Sequence, residues 1–212
     1  MKKKIKVCCF SDSHGLHNNI KIPPCDILIF AGDFDIYSLP DLERANAWFG
    51  KQKAQYKIFV AGNHDTYLEK IPVFSIKDIF NNVIYLQDEM IEIKGLKIYG
   101  SPYSPKFGEW SFSYKRCSLE AKNIWSKIPE NLDILVTHGP SYGVLDRNLY
   151  DESCGCEVLS REIMQKKPKN HIYGHLHLFG GQSITQCNIN FYNVSVLDED
   201  YKLVNSPTIL EI

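Results

Sequence analysis

The sequence predicts an α/β fold, because short apolar runs repeatedly end in small and polar residues. The runs are continuous and rich in Ile, Val and Phe, as expected of strands that are buried on both faces. IKVCCF ends in SDSHG, DILIFA in GDFD, YKIFVA in GNHD, LDILVT in HGP, and NHIY in GHLH. The first half of the chain is therefore interpreted as an α/β unit, on which later strands could pack as a second sheet.

Helical patterns between the apolar runs support the same fold class. Helices are predicted over Pro40–Lys53, Ser118–Ile128 and Cys156–Gln165. Residues 83–100 are predicted to form strands joined by a turn at Lys94–Gly95, and the tail from Ile184 onward alternates in the same way. The tail strands could pair within the domain or across a dimer, and both pairings stay open.

Length and composition indicate an ordinary soluble protein. The 212 residues are enough for one domain with a sizeable core, so a single domain over residues 1–212 is predicted. A formal charge of −1 gives no bias toward polyanions, so extended nucleic-acid binding is not expected. The basic start at Lys2–Lys4 precedes an apolar run that is too short for a signal core or a membrane span. We therefore expect a cytoplasmic protein without membrane attachment.

The polar residues at the strand ends predict a metal site, because the carboxyl ends of strands meet at one edge in open α/β sheets. The set comprises Asp12, His14, Asp33, Asn63, His64, His138, His175 and His177. Any one of these residues could simply cap a turn or be structural. Together, however, mixed oxygen and imidazole donors suit Mn²⁺, Fe or Zn²⁺. The number of donors fits two ions that share a carboxylate better than it fits one ion.

Five sequence blocks resemble, in order, the signature blocks of the calcineurin-like metallophosphoesterase superfamily. They are DSH, GD, GNHD, THGP and GHLH, and they span residues 12–177. Longer stretches such as YKIFVAGNHD and VIYLQDEMIEIKGLKIYG are similar to the metallophosphoesterase-domain-containing proteins. Some animal members have glycine in place of a histidine of the last block and weakened activity, whereas GHLH is intact here. The resemblance implies a four-layer α/β/β/α sandwich with the site at the sheet edges.

Carried over position by position, the resemblance implies a role for each residue of the site. Asp12, His14 and His177 would hold one divalent ion, Asn63, His138 and His175 the other, and Asp33 would bridge them. Mn²⁺ is the expected metal, with Fe and Zn²⁺ as alternatives. His64 would face the substrate as a general acid, and Asp65 behind it would orient the imidazole and raise its pKa. One departure is Ile36, which stands where the family often has an acidic or amide residue, with Asp35 one position earlier.

The expected substrate is a small phosphoester, with a nucleotide as one candidate. The resemblance implies phosphodiester hydrolysis, including that of cyclic nucleotides, by a hydroxide shared between two ions. A phosphomonoesterase or protein phosphatase is the alternative, because the metal chemistry would be the same. A third hypothesis is a scaffold protein with low activity, but the complete set of proposed metal ligands argues against it. Arg147 could contact a phosphate, and Tyr103 and Trp110 could stack on a base, although all three could also be ordinary loop residues.

Overall fold

Two β-sheets lie face to face at the centre of the fold in the computed structural model, which describes residues 4–212. Within these residues the first sheet has five strands and the second has six. Lys2 and Lys3 of the predicted basic start lie outside the described residues. Among the helices of the described residues, none is both long and apolar enough to cross a bilayer.

The first sheet contains the three strands that lead to the first three polar blocks. Its parallel strands are β1 (Lys6–Phe10), β2 (Ile27–Ala31), β3 (Tyr56–Val60) and β4 (Ile84–Tyr85), and β13 (Thr208–Glu211) pairs antiparallel with β1. Because β1, β2 and β3 run in the same direction, the segments that follow them emerge at the same edge of the sheet. The bond from Asp12 N to the Gly32 carbonyl (2.8 Å) joins the first two of these segments.

The second sheet brings the last two polar blocks to the same region. Parallel β6 (Leu96–Ser101), β9 (Ile134–Thr137), β10 (Asn170–Tyr173) and β12 (Ile189–Asn193) form its centre, with β5 (Glu89–Ile93) and β11 (Ser183–Gln186) as antiparallel edges. A small pair, β7 (Ser104–Pro105) and β8 (Ser113–Tyr114), stands apart from both sheets. The bond from Gly174 N to the His138 carbonyl (2.9 Å) joins the segments after β9 and β10.

Helices cover the outer face of each sheet and confirm the predicted four-layer α/β/β/α sandwich. The helices are α1 (Leu39–Gly50), α2 (Thr66–Glu69), α3 (Val73–Ile79), α4 (Leu119–Trp125) and α5 (Glu157–Lys166). Alternate residues of β1 show the layering, since Cys8 and Phe10 pack with the helical side while Val7 and Cys9 pack between the sheets. Both faces of the strand are thus buried, which explains the continuous apolar run in its sequence.

The three predicted helices form with their ends shifted by a few residues. The first begins at Leu39 and already ends at Gly50, before the predicted end at Lys53. The other two begin one residue after Ser118 and Cys156, because these residues cap them: the Ser118 hydroxyl accepts from Ala121 N (3.1 Å), and the Cys156 sulfur accepts from Leu159 N (3.3 Å). The short helices α2 and α3 were not predicted.

The predicted strands after residue 83 also form, and the tail pairs within the chain. Lys94 and Gly95 make the expected turn with φ values of 53° and 83° between β5 and β6. The tail strand β12 pairs with β10 and β13 pairs with β1, so intrachain pairing accounts for the tail.

His171 lies in β10 as a buried structural residue. The Thr137 hydroxyl donates to the Gly139 carbonyl (2.7 Å), so it accepts from His171 Nε2–H (2.8 Å), and the ring is neutral in this arrangement. Burial lowers the pKa of His171 to about 3. As the pH falls below about 6.5, the unfolded chain binds a proton at this residue while the folded chain does not, so folding stability declines.

We expect the variant His171→Gln to lose stability less steeply on acidification than the wild type. His171 contributes up to about 1.4 kcal/mol per pH unit to the decline below pH ~6.5, and glutamine does not titrate. The measurement is urea unfolding of chelator-treated wild-type and variant protein at several pH values between about 7 and 5. Equal slopes in the two proteins would contradict the assignment, whatever their absolute stabilities.

Candidate metal centre

Two groups of carboxylate and imidazole side chains meet where the strand ends of the two sheets converge. The first group is Asp12, His14 and His177, and the second is Asp33, His138 and His175; within each group the possible ligand atoms lie within 4.8 Å of one another. Asn63 joins the second group, with its Oδ1 atom 2.9 Å from His138 Nε2. The structure thus brings together all seven residues that the sequence suggested as metal ligands.

Asp33 lies between the two groups. Its Oδ2 atom is 3.6 Å from Nε2 of His14 and 3.3 Å from Nε2 of His138, so one carboxylate oxygen faces an imidazole of each group. The other oxygen, Oδ1, accepts a hydrogen bond from His64 N (2.8 Å). This carboxylate is therefore placed and oriented to be shared by both groups.

Acceptors outside the two groups fix the orientation of three of the imidazoles. The Nδ1 atom lies 3.0 Å from the Ala31 carbonyl in His138, 3.0 Å from the Asp198 carbonyl in His177, and 3.0 Å from Asp35 Oδ1 in His14. These oxygens can only accept, so Nδ1 carries the hydrogen and Nε2 presents its lone pair to the carboxylates when the ring is neutral. Metal-binding histidines have this arrangement, and the residues present therefore fit divalent ions.

Buried charges at the site shift the pKa values of its members in opposite directions. Burial alone would raise the pKa of Asp12, but the hydrogen bond and charge of His177 outweigh it and lower the pKa to about 2. Burial lowers the pKa of His138, but the charge of Asp33 outweighs it and raises the pKa to about 9. For His175 burial is the largest effect, and it lowers the pKa to about 3. Positive charge is thus required beside these carboxylates, and either protons or metal ions can provide it.

The backbone at the site is strained, because four of its non-glycine residues have left-handed backbone conformations. Asp12, His14, Asp33 and His175 all have positive φ values, of 54°, 37°, 64° and 70° respectively. Each such residue costs on the order of 1–3 kcal/mol, so the surrounding packing and hydrogen bonds must hold the conformation. Four members of the two groups therefore adopt a backbone conformation that the surrounding structure must maintain.

Glycine is required at position 174 because the backbone there passes close to the first strand. A Cβ atom at Gly174 would overlap Ser11 Oγ and Asp12 Oδ2. The same backbone segment donates from His175 N to both carboxylate oxygens of Asp12 (3.1 Å each). Any side chain at position 174 would therefore push on a carboxylate of the first group.

We expect Gly174→Ala to lower metal retention, and to destabilise the protein by about 1–3 kcal/mol, because the added methyl group displaces Asp12. Gly50→Ala is the matched control, since a Cβ atom there would meet only the end of the Asn82 side chain at 3.1 Å, far from the site. Elemental analysis after dialysis and urea unfolding are the measurements. Metal contents that are equal in the two variants would contradict this expectation.

Asp65 does not have the position that was expected for it. Its carboxylate accepts backbone hydrogen bonds from the N atoms of Gly62 (2.8 Å), Asp33 (3.1 Å), Phe34 (3.1 Å) and Ile36 (3.2 Å). Burial, followed by the charge of Asp33, raises its pKa to about 7. The expectation that Asp65 orients His64 is therefore corrected: its oxygens hold the loop after β2 against the loop after β3.

His64 is instead held by residues around its ring. The Tyr37 hydroxyl lies 3.0 Å from His64 Nδ1, and Trp110 stacks on the ring with a centroid distance of 4.0 Å and an interplanar angle of 27°. The ring of His14 meets it edge to face at 4.7 Å. Trp110, which was expected to stack on a substrate base, is therefore stacked on His64.

A cavity of about 610 Å³ opens over both groups of ligands. His14, Asp33, Asn63, His64, His175 and His177 line its floor, and Pro105, Phe107, Arg116, Cys154, Glu199 and Tyr201 are among the residues of its walls. Tyr201 had no signal in the sequence, because it lies in a tail segment without a motif. Its ring centroid is 4.9 Å from that of His14 and 5.2 Å from that of His177.

None of the three residues expected to contact the substrate, Arg147, Tyr103 and Trp110, belongs to the set that lines this cavity. Arg147 pairs with the Asp151 carboxylate (2.8 Å) on the surface, and a different arginine, Arg116, reaches the cavity wall. Tyr103 packs its ring against Phe112, and its hydroxyl accepts from the Gln87 side chain (3.4 Å). The positions of these side chains argue against direct substrate contact by Arg147 and Tyr103.

The fold and the site define the class of protein. The family model described as calcineurin-like phosphoesterase matches residues 5–179, and the chain belongs to this family. It is therefore a hydrolase of phosphoric esters that uses divalent metal ions.

Individual relatives agree with this assignment. The chain is 32% identical over 230 residues to human metallophosphoesterase domain-containing protein 1, covering 96% of this chain and 70% of that protein. It is 33% identical over 239 residues to a UPF0046 protein of Caenorhabditis elegans, covering 98% of this chain and 60% of that protein. Among solved structures, the phosphopantetheinyl hydrolase of Mycobacterium tuberculosis has the same fold, with a TM-score of 0.61 at 16% identity over 95% of this chain and 92% of that chain.

Proposed function

We propose that this protein is a phosphodiesterase that hydrolyses small phosphodiesters, such as cyclic nucleotides, at a dinuclear centre with Mn²⁺ as the expected metal. The observation that carries the proposal is the position of Asp33, whose Oδ2 atom faces imidazoles of both groups on the floor of one cavity. In this proposal Asp12, His14 and His177 would hold one ion, and Asn63, His138 and His175 would hold the other. Asp33 would be shared by both.

The chemistry follows from the positions of the side chains. Divalent ions held by these residues would supply positive charge for the phosphoryl oxygens and would lower the pKa of bound water. His64, which lines the same cavity, donates a proton to the oxygen that leaves. Because burial lowers the pKa of His64, its acid form depends on the nearby carboxylates of Asp33 and Asp35, which oppose that effect.

The charge of the cavity walls favours a diester over a monoester. A phosphodiester carries one negative charge, whereas a monoester carries close to two at pH 7 and meets Glu152 and Glu199 at the walls. The lining also holds two cations, and both already have partners. The Arg116 guanidinium donates to the carbonyls of Ser153, Cys154 and Gly155, and Lys106 pairs with Glu109 (3.0 Å). A second negative charge would therefore be less well compensated, while apolar walls leave room for an organic group on each ester oxygen.

We expect protein that has been reloaded with Mn²⁺ to hydrolyse bis(p-nitrophenyl) phosphate with a kcat/KM at least about tenfold above that for p-nitrophenyl phosphate, a difference of ~1.4 kcal/mol. Cyclic nucleotides are assayed beside both compounds. A preference for the monoester would support the phosphomonoesterase alternative. Absence of activity on every compound, with metal bound, would support a scaffold role.

Asp33→Asn should lower the metal content from about two ions per chain to below about one, because a neutral amide cannot serve two cations as a carboxylate does. Elemental analysis after equilibration with Mn²⁺ measures this, and the hydrolysis rate should fall in parallel. Asp151→Asn, a surface change at the partner of Arg147, is the control. Retention of two ions by Asp33→Asn would remove the shared role of this residue.

His64→Ala should keep its metal and lose roughly 10²–10⁴-fold in rate on substrates with a poor leaving group. The loss should be much smaller for p-nitrophenolate, which leaves without a proton. His17→Ala is a suitable control, because the His17 ring stacks on Phe34 and lies outside the groups of ligands. If the loss were the same for good and poor leaving groups, His64 would not be the general acid.

A further inference from the structure

We propose that Tyr37 is a positioning residue that, together with Asp35, holds the imidazole of His64 with a hydrogen on Nδ1 and leaves Nε2 for the substrate. The proposal rests on the role of His64 as general acid given above, and it goes beyond that role by naming the residues that orient the ring. Asp65, the neighbour expected to do this, is engaged by four backbone N–H groups.

The hydrogen bonds that link Asp35, Tyr37 and His64 show which group donates to which. The Tyr37 hydroxyl donates to Asp35 Oδ1 (3.2 Å), so its oxygen is left to accept, and His64 Nδ1 lies 3.0 Å from it. His64 must therefore carry its hydrogen on Nδ1 to complete the chain. The second ring nitrogen, Nε2, then has a lone pair when the ring is neutral and a transferable proton when the ring is charged.

The same Asp35 oxygen also accepts from His14 Nδ1 at 3.0 Å. One carboxylate thus supports both a proposed metal ligand and the proposed acid, but it reaches the acid mainly through Tyr37, since Asp35 Oδ1 is 3.8 Å from His64 Nδ1. A change at Asp35 would disturb both imidazoles. A change that removes only the Tyr37 hydroxyl would leave the direct bond between Asp35 and His14 in place.

The loop that carries Tyr37 is anchored independently of the site. Tyr37 N donates to the Asp41 carboxylate (3.2 Å), and Tyr67 N donates to the Ile36 carbonyl (2.9 Å). The Ile36 side chain is fully buried in the core cluster that also contains residues of α1. Removing the hydroxyl should therefore leave the loop in place.

Contacts with the face of the His64 ring restrict its tilt, but they leave open which ring nitrogen carries the hydrogen. Trp110 stacks on it at 4.0 Å, and His14 meets it edge to face at 4.7 Å. Stacking restricts tilting but does not select which nitrogen carries the hydrogen. That selection needs a hydrogen-bond partner, and Tyr37 provides it.

The test compares Tyr37→Phe with the wild type and with Tyr150→Phe, a control at an exposed tyrosine. In protein reloaded with Mn²⁺, Tyr37→Phe should lose roughly 10–100-fold in kcat on substrates with a poor leaving group, with metal content unchanged and little loss on p-nitrophenyl esters. In a His64→Ala background, the same substitution should have no further effect. Equal losses on all substrates, or a further loss in the His64→Ala background, would overturn the proposal.

A spectroscopic measurement separates this proposal from the proposed function. Long-range ¹H–¹⁵N correlation spectra of the diamagnetic Zn²⁺ form should show His64 with its hydrogen on Nδ1 in the wild type and in Tyr150→Phe. In Tyr37→Phe, the population with the hydrogen on Nε2 should increase. A wild-type ring with its hydrogen on Nε2, or a spectrum that Tyr37→Phe leaves unchanged, would overturn the proposal even if the protein hydrolysed none of the phosphoesters.

Discussion

The rest of the structure depends on the burial of two carboxylates, Asp12 and Asp33, at the point where the two sheets meet. Both are almost completely inaccessible to solvent. Burying negative charge costs several kcal/mol per ion unless positive charge and hydrogen-bond donors accompany it. The histidines that follow strands of both sheets supply hydrogen-bond donors and, when protonated, positive charge. Divalent ions would supply more positive charge. The site therefore also joins the two sheets across their shared edge.

The backbone around these carboxylates is arranged to make this burial possible. Asp65 fixes two loops to each other, because its carboxylate accepts hydrogen bonds from backbone N–H groups in the segments after β2 and β3. Glycines at positions 32, 62 and 174 let the chain approach His138, Asp33 and Asp12 without a Cβ atom in the way. Left-handed backbone at four of the proposed ligands completes the arrangement at a cost in local strain.

The sequence was most informative where a strand leads directly into the residues of the site. The positions of all seven proposed ligands could be predicted, because parallel strands bring their carboxyl ends to one edge whatever the loops between them do. The support of His64 could not be predicted in the same way. Asp65 is adjacent to it in sequence, yet that carboxylate is taken up by backbone amides, and Asp35 is the carboxylate that lies near the ring. Arg116 and Tyr201 lie in segments without periodicity, so only the folded loops could show that they reach the cavity.

The tail strand completes the first sheet, so this sheet cannot finish folding until the tail has been synthesised. Strand β13 pairs with the open edge of β1, the strand that leads into Asp12, and this pairing joins segments roughly 200 residues apart in the sequence. Until the tail has been synthesised, β1 presents unpaired backbone groups on one side, which other strands can recognise. Contacts of such high sequence separation also form slowly. The edge beside the metal-binding loops should thus be among the last to close during synthesis, and it is the place where incomplete chains would be most open to strand addition by other molecules.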